Sequence, residues 1–277
     1  MTIEPITVAG PAGTLTGWIR PGTDLDAIPV LFIHPINMQG RIWFDLAEQL
    51  STDRTLLMPD LRAHGRSDSE GEFGLDEWLA DIEAVLDRFE IDGPLHVVGG
   101  SLGGSLAVCL AASRPGQVRS ISAIGSSLNF EGADAKAVLD LFDEYGIPGT
   151  FEKVFPEITF GPDVERAVID HGIALANPNP VEIVKRVWAA TVTSDSTPRA
   201  SQVHCEALVL TGEFDGTCTP ELGMHMARHL NTELTLIPNI GHMPMLECPV
   251  RVSKLISRFF ENVEGSIDSL PQIGNTR

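Results

Sequence analysis

Short apolar runs alternate with segments of helical spacing along most of this 277-residue chain. "IPVLFIHP", "RTLLMPDLR", "PLHVVGG" and "VRSISAIG" are each of strand length and bounded by proline, glycine or polar residues. Between them lie "RIWFDLAEQLS", "LDEWLADIEAVLDRFEI" and "LGGSLAVCLAASRP", the last stopped by Pro115. In the second of these, Trp78, Leu79, Ile82, Val85, Leu86 and Phe89 share one helical face. A strand that is apolar throughout must be covered on both faces, and strands that alternate with helices pair in parallel. The expected class is therefore α/β, a mostly parallel sheet with helices on both faces. "PITVAG" and "TLTGWIR" around "PAG" predict an opening hairpin. The alternation lapses from about Ser127 to Ser201, where the text is helical and aromatic, and resumes with "EALVLTG", "TELTLIP" and "PVRVSKLISRFFENV". This predicts one core from residues 1–127 and 201–264, a helical cap at 128–200, and a loosely held tail at 265–277.

Within this pattern "LHVVGGSLGGSLA" places one serine among four glycines at a strand-to-helix turn. A phosphate-binding P-loop needs lysine after its last glycine, where Ser105 stands. The dinucleotide fingerprint needs glycine where Ser101 stands. The pattern G-x-S-x-G fits, as Gly99, Ser101 and Gly103, with strand before and helix after. A strand turning at once into a helix strains its apex residue and leaves no room for neighbouring side chains. The apex hydroxyl then projects at the carboxyl end of the sheet, beside the unpaired N–H groups of a helix N-terminus.

A serine hydroxyl needs a base, and the base needs an orienting acid. Asp215 lies just beyond the apolar run "LVLTG", and His242 in the Gly/Pro-rich loop "IPNIGHMPMLECP" after the next strand. Three strand ends thus deliver Ser101, Asp215 and His242 in that order. Glu213 competes with Asp215 but sits closer to the strand end. His34 and His64 read as structural. His225 and His229 have the i, i+4 spacing of a zinc site without its glutamate or a third ligand, so no metal is expected. The tetrahedral intermediate of acyl transfer needs two N–H donors. Leu102 follows the nucleophile. In the loop after "LFIH", Pro35 has no N–H, which leaves Ile36.

The formal net charge of −19 argues against nucleic acid and against anionic membranes, both of which call for a basic face. No basic-then-apolar leader opens the sequence, and no apolar run is long enough to span a bilayer. Cys109, Cys205, Cys218 and Cys248 fit neither a zinc site nor a dense disulfide framework. The expectation is a cytoplasmic enzyme with a small-molecule substrate and no cofactor; a homo-oligomer is left open.

Taken together, "IHPINMQGRIW", "PDLRAHGRSD", "VVGGSLGG", "LTGEFDGTCTP" and "GHMPMLECP" resemble the α/β-hydrolase family over nearly the whole chain. The resemblance implies an eight-stranded sheet, a Ser-His-Asp triad and a helical cap. Within that family the chain is most similar to 3-oxoadipate enol-lactonase-type hydrolases, through the spacing of "HPINMQGRIW" and the segment "FEKVFPEITFGPDV". That likeness places Trp43 behind Ile36 and makes Trp43 a candidate for substrate contact; among the cap aromatics Trp188 is another candidate, and it can equally pack the cap. The chain departs from the group at Pro35, where many relatives carry glycine or serine, and at Gly100, where larger residues are common. An anionic lactone would want a basic group, for which Arg41, Lys185 and Arg186 are the candidates, although each reads more readily as a solvated surface charge. The expected function is hydrolysis of a small ester or lactone. A carbon–carbon bond hydrolase, a cofactor-free perhydrolase and a non-catalytic ligand-binding fold are the alternatives.

Overall fold

A computed structural model describes residues 2–130 and 135–268. Eight strands form one sheet: β1 (Glu4–Gly10), β2 (Gly13–Arg20), β3 (Val30–Ile33), β4 (Leu56–Pro59), β5 (Leu95–Gly100), β6 (Val118–Ile124), β7 (Glu206–Gly212) and β8 (Leu234–Ile237). Their order is β1-β2-β4-β3-β5-β6-β7-β8. The β1–β2 hairpin and the β2–β4 pair are antiparallel, and every later pair is parallel. The helices are α1 (Phe44–Ala47), α2 (Leu75–Arg88), α3 (Leu102–Ser113), α4 (Ala135–Lys153), α5 (Phe155–Thr159), α6 (Arg166–Ala174), α7 (Val181–Val192), α8 (Thr197–Ala200), α9 (Pro220–His229), α10 (Pro244–Glu247) and α11 (Pro249–Asp268). None of the described helices is long and apolar enough to cross a membrane.

The period of two along each strand splits the core into two layers. Leu31 and Ile33 of β3 face one layer with Trp78 of α2, Leu106 of α3 and Met226 of α9. Val30 and Phe32 face the other with Trp43 and with Val252, Ile256 and Phe260 of α11. Every residue of α3 from Leu102 to Ala111 is buried, because the helix runs under the sheet with α2 across it. Each large side chain so covered contributes about 1.5–3 kcal/mol.

The chain leaves the sheet beyond β6 and re-enters before β7. A bridge between Asn129 and Asp195, and a 2.8 Å bond from the Ser196 N–H to the Leu128 carbonyl, close the neck of this excursion. Helices α4 to α7 lie within it, and α4 bends at Gly146, whose φ is 65°.

Two local expectations change. "RIWFDLAEQLS" is not one helix but a 3-10 turn (Gly40–Trp43) followed by the single turn α1. The segment from residue 265 was expected to be loose, yet α11 runs to Asp268. Glu264 is anchored there by Arg54 at 2.8 Å and His96 at 2.7 Å. The rest of the expected tail, 269–277, lies outside the described residues.

Candidate active site

Ser101 sits between β5 and α3 with φ 50° and ψ −120°, a left-handed backbone that a side-chain-bearing residue adopts only under constraint. The constraint is visible: its N–H donates to the Ile124 carbonyl at 3.0 Å, and its own carbonyl accepts from Gly104 at 2.9 Å. Gly103 allows the turn to press against β3, since a Cβ there would stand 2.2 Å from the Ile33 carbonyl oxygen. Both departures from the related sequences meet behind this turn. A Cβ on residue 100 would lie 3.0 Å from Cγ of Pro35, so the proline ring fills space that a larger residue would claim.

Asp215 follows β7 and is 3% exposed. Its Oδ1 accepts the N–H groups of Thr217 at 2.9 Å and Cys218 at 2.7 Å, which fix the carboxylate. Its two oxygens stand 3.0 and 2.9 Å from Nδ1 of His242. A carboxylate only accepts, so Nδ1 carries the proton and Nε2 keeps its lone pair. Glu213 points elsewhere and accepts the N–H of Asn239 at 3.0 Å.

Ser101 and His242 border the same cavity, of about 670 Å³, which Ile36 and Trp188 also line. The serine hydroxyl is buried without a hydrogen-bond partner among the described residues. Leu102 opens α3, so its N–H has no partner within the helix. Trp43 does not belong to this wall. It is wholly buried in the core, 5.2 Å from the ring of Phe32. The 3-10 turn that carries it turns the indole beneath the sheet, so the expectation of substrate contact is corrected for Trp43. Arg41, Lys185 and Arg186 do not line the cavity either.

The remaining histidines sort by burial. His34 receives the Leu61 N–H on Nε2 at 3.1 Å, so its Nδ1 donates to the Pro35 carbonyl at 2.8 Å and braces the loop of Ile36. Burial holds the His34 imidazole below its usual range, and that of His64 well below. His225 and His229 lie on α9, and no cluster of three or more metal-ligating side chains occurs among the described residues.

Three supporting residues were not singled out from the sequence. Glu247 accepts the N–H groups of Gly161, Gly241 and Met243 at 2.7 to 3.2 Å and so ties down the histidine loop. Gly125 follows β6 directly and lies against His242. A Cβ there would meet the His242 carbonyl oxygen at 2.7 Å and Nδ1 at 3.3 Å. Cys218 is buried beside Asp215; burial and that carboxylate push its thiol up, and it lies 3.8 Å from Oγ of Ser127. The Ser101 hydroxyl is close enough to oppose that shift slightly, without the geometry of a hydrogen bond. The signal for Glu247 was present, since it lies inside "GHMPMLECP".

Known proteins share this arrangement of the chain. A lipase, LipV of Mycobacterium tuberculosis (strain ATCC 25618 / H37Rv), is 38% identical over 111 residues, which are 40% of this chain and 42% of the lipase. The 2-hydroxymuconate semialdehyde hydrolase of Pseudomonas sp. (strain CF600) is 23% identical over 261 residues, covering 86% of this chain and 88% of that protein. The crystal structure of the enol-lactonase from Burkholderia xenovorans LB400 superimposes with a TM-score of 0.83 at 19% identity, over 92% of this chain and 99% of that one. The family model described as "Alpha/beta hydrolase family" matches residues 30–255, most of the chain, and the protein therefore belongs to the α/β-hydrolase family.

Proposed function

We propose that this protein is a serine hydrolase that cleaves a small ester or lactone through an acyl-enzyme, with Ser101 as nucleophile, His242 as base and Asp215 as the orienting acid. One observation carries the reading. The imidazole is clamped at Nδ1 by a buried carboxylate, while its free nitrogen belongs to a ring that borders the same cavity as a strained, unpartnered serine. For proton transfer the serine Oγ must come within hydrogen-bond reach of Nε2, and the torsion about the Ser101 Cα–Cβ bond is the freedom that the reading calls on.

In the proposed cycle His242 takes the Ser101 proton as Oγ attacks the carbonyl carbon. The N–H groups of Ile36 and Leu102 stabilise the oxyanion, a contribution of about 3–4 kcal/mol per donor in enzymes of this logic. The imidazolium then protonates the leaving alcohol, or the ring oxygen of a lactone. Water, deprotonated by the same imidazole, attacks the acyl carbon and restores Ser101. Asp215 holds the tautomer throughout and stays ionised. The cycle calls for neither metal nor cofactor.

The test is hydrolysis of p-nitrophenyl butyrate by the wild type and by Ser101→Ala. The variant should lose roughly 10³-fold or more in turnover while melting at the same temperature. Wild-type turnover in the variant would overturn the nucleophile assignment.

A further inference from the structure

The wall of the cavity says what it admits. Most of it is apolar, and the excursion between β6 and β7 supplies a large share, including Val138, Leu141, Phe142, Phe151 and Trp188. Among the described residues no lysine or arginine lines it; Glu221 and His242 are its titratable groups. The nearby cations are held elsewhere. Lys185 Nζ is 2.6 Å from Asp143, and Arg186 donates to the Gly71 carbonyl at 2.9 Å with its guanidinium 4.6 Å from the ring of Phe73. Arg41 lies 5.8 Å from the ring of Phe44. Glu221, exposed in the first turn of α9, adds negative potential to a chain already at −19.

A carboxylate entering this cavity would lose its water, find no counter-ion, and pass Glu221. Neutral hydrogen bonds do not repay the desolvation of an unpaired charge. An apolar chain meets the opposite balance, since each methylene removed from water is stabilised by the surrounding side chains. One polar group is set into this region of the wall. Asn37, 3% exposed, lines the cavity next to Ile36, and its Oδ1 has no hydrogen-bond partner among the described residues. An amide oxygen only accepts, so it offers a carboxylate no hydrogen bond either.

We infer that the site takes an uncharged ester or lactone with an apolar acyl chain and turns away carboxylate-bearing lactones and ring-fission products. This rests on the serine-hydrolase reading above. It also separates the protein from the enol-lactonase type that its sequence resembles, with the same fold serving a different substrate charge.

The experiment compares p-nitrophenyl octanoate with the mono-p-nitrophenyl ester of octanedioic acid, which has the same length and ends in a carboxylate. With the wild type, kcat/KM should fall roughly 100-fold or more for the charged ester. Along the neutral series from acetate to octanoate it should rise about three- to fourfold per methylene until the cavity is full. Leu141→Arg, which puts a cation in the wall, should raise the charged ester about tenfold and lower the neutral one. Glu221→Gln, on the exposed turn, should raise the charged ester about two- to fivefold at low salt and lose that gain at high salt. Comparable kcat/KM for the two esters, within about threefold, would overturn the inference, as would a charged ester that gains nothing from either variant. Ser101→Ala separates this from the reading beneath it. Should that variant keep its turnover, or the wild type hydrolyse neither ester, the serine-hydrolase reading fails. In the first case the kcat/KM comparison of the two esters, and in the second their calorimetric binding to the wild type, still decides the substrate charge by itself.

Discussion

Replacing Asp215 by asparagine keeps the shape of the side chain and removes its ability to accept on both sides. In the native site Oδ1 holds the N–H groups of Thr217 and Cys218, while both oxygens face Nδ1 of His242. An asparagine satisfies the two loop amides with its carbonyl oxygen, which leaves its NH₂ toward the imidazole. Two donors cannot share that contact, so His242 shifts to the tautomer that accepts at Nδ1 and carries its proton on Nε2. That nitrogen can no longer take a proton from Ser101. Where the same exchange has been made in a serine protease triad, kcat drops about 10⁴-fold, which is about 5.5 kcal/mol. We expect a loss of roughly 10³- to 10⁴-fold for Asp215→Asn, with stability changed by less than about 1 kcal/mol. Asp215→Ala is different in kind. It strands the two loop N–H groups in a buried place at about 1–3 kcal/mol each, so it should lose both turnover and about 2–6 kcal/mol of stability. Turnover of p-nitrophenyl butyrate at neutral pH and urea unfolding read the two effects separately. An Asp215→Asn enzyme with more than about a tenth of wild-type turnover would refute the tautomer argument. An Asp215→Ala variant as stable as Asp215→Asn would refute the structural half.

Two further outcomes follow from buried groups. Trp43→Phe should cost about 1–3 kcal/mol in urea unfolding, through lost packing on Phe32, and leave KM for p-nitrophenyl butyrate unchanged; a raised KM without a stability loss would return Trp43 to the substrate wall. His96 is fully buried, stacked on Phe260, and donates from Nε2 to Glu264 while accepting from the Ser120 hydroxyl; burial holds its pKa at about 4, against the ordinary 6.5. The native state then binds fewer protons than the unfolded state between those values, so stability should rise with pH across that window and be lost as pH falls from about 6.5 to about 4, by up to roughly 3 kcal/mol. Melting curves from pH 4 to 7 check this, and His96→Gln should remove the share of the dependence that His96 supplies, leaving that of the buried His34 and His64.

The three residues proposed for catalysis were legible because each stands at a place the backbone marks. Ser101, Asp215 and His242 all follow apolar runs of strand length, and a parallel sheet brings the carboxyl ends of such runs to one edge. Glycine spacing around Ser101 carried the rest, since only a tight turn requires it. The periodicity of the last helix was legible as far as it runs: Val252, Ile256, Phe260 and Val263, all within "PVRVSKLISRFFENV", are buried at helical spacing and carry α11 up to the anchor at Glu264. Trp43 shows where spacing misleads. A fixed interval from His34 identifies the residue, but a chain that makes a 3-10 turn instead of a longer helix decides which way the indole points.

The character of the cavity was not legible for a deeper reason. Lys185 and Arg186 stand three and two residues before Trp188 on α7, and nothing in that interval says which of them reaches the pocket. What keeps both out is tertiary: Asp143 on α4 holds the lysine, and the loop at Gly71, more than a hundred residues earlier, holds the arginine. A nucleophile is specified by its own turn and by the order of strands, so a one-dimensional text can name it. The charge of a pocket is a sum over side chains, each of which can be cancelled by a partner from anywhere in the chain. Substrate charge therefore becomes readable only once those partners are placed, and here their placement leaves Ser101 facing a wall without a cation among its described residues.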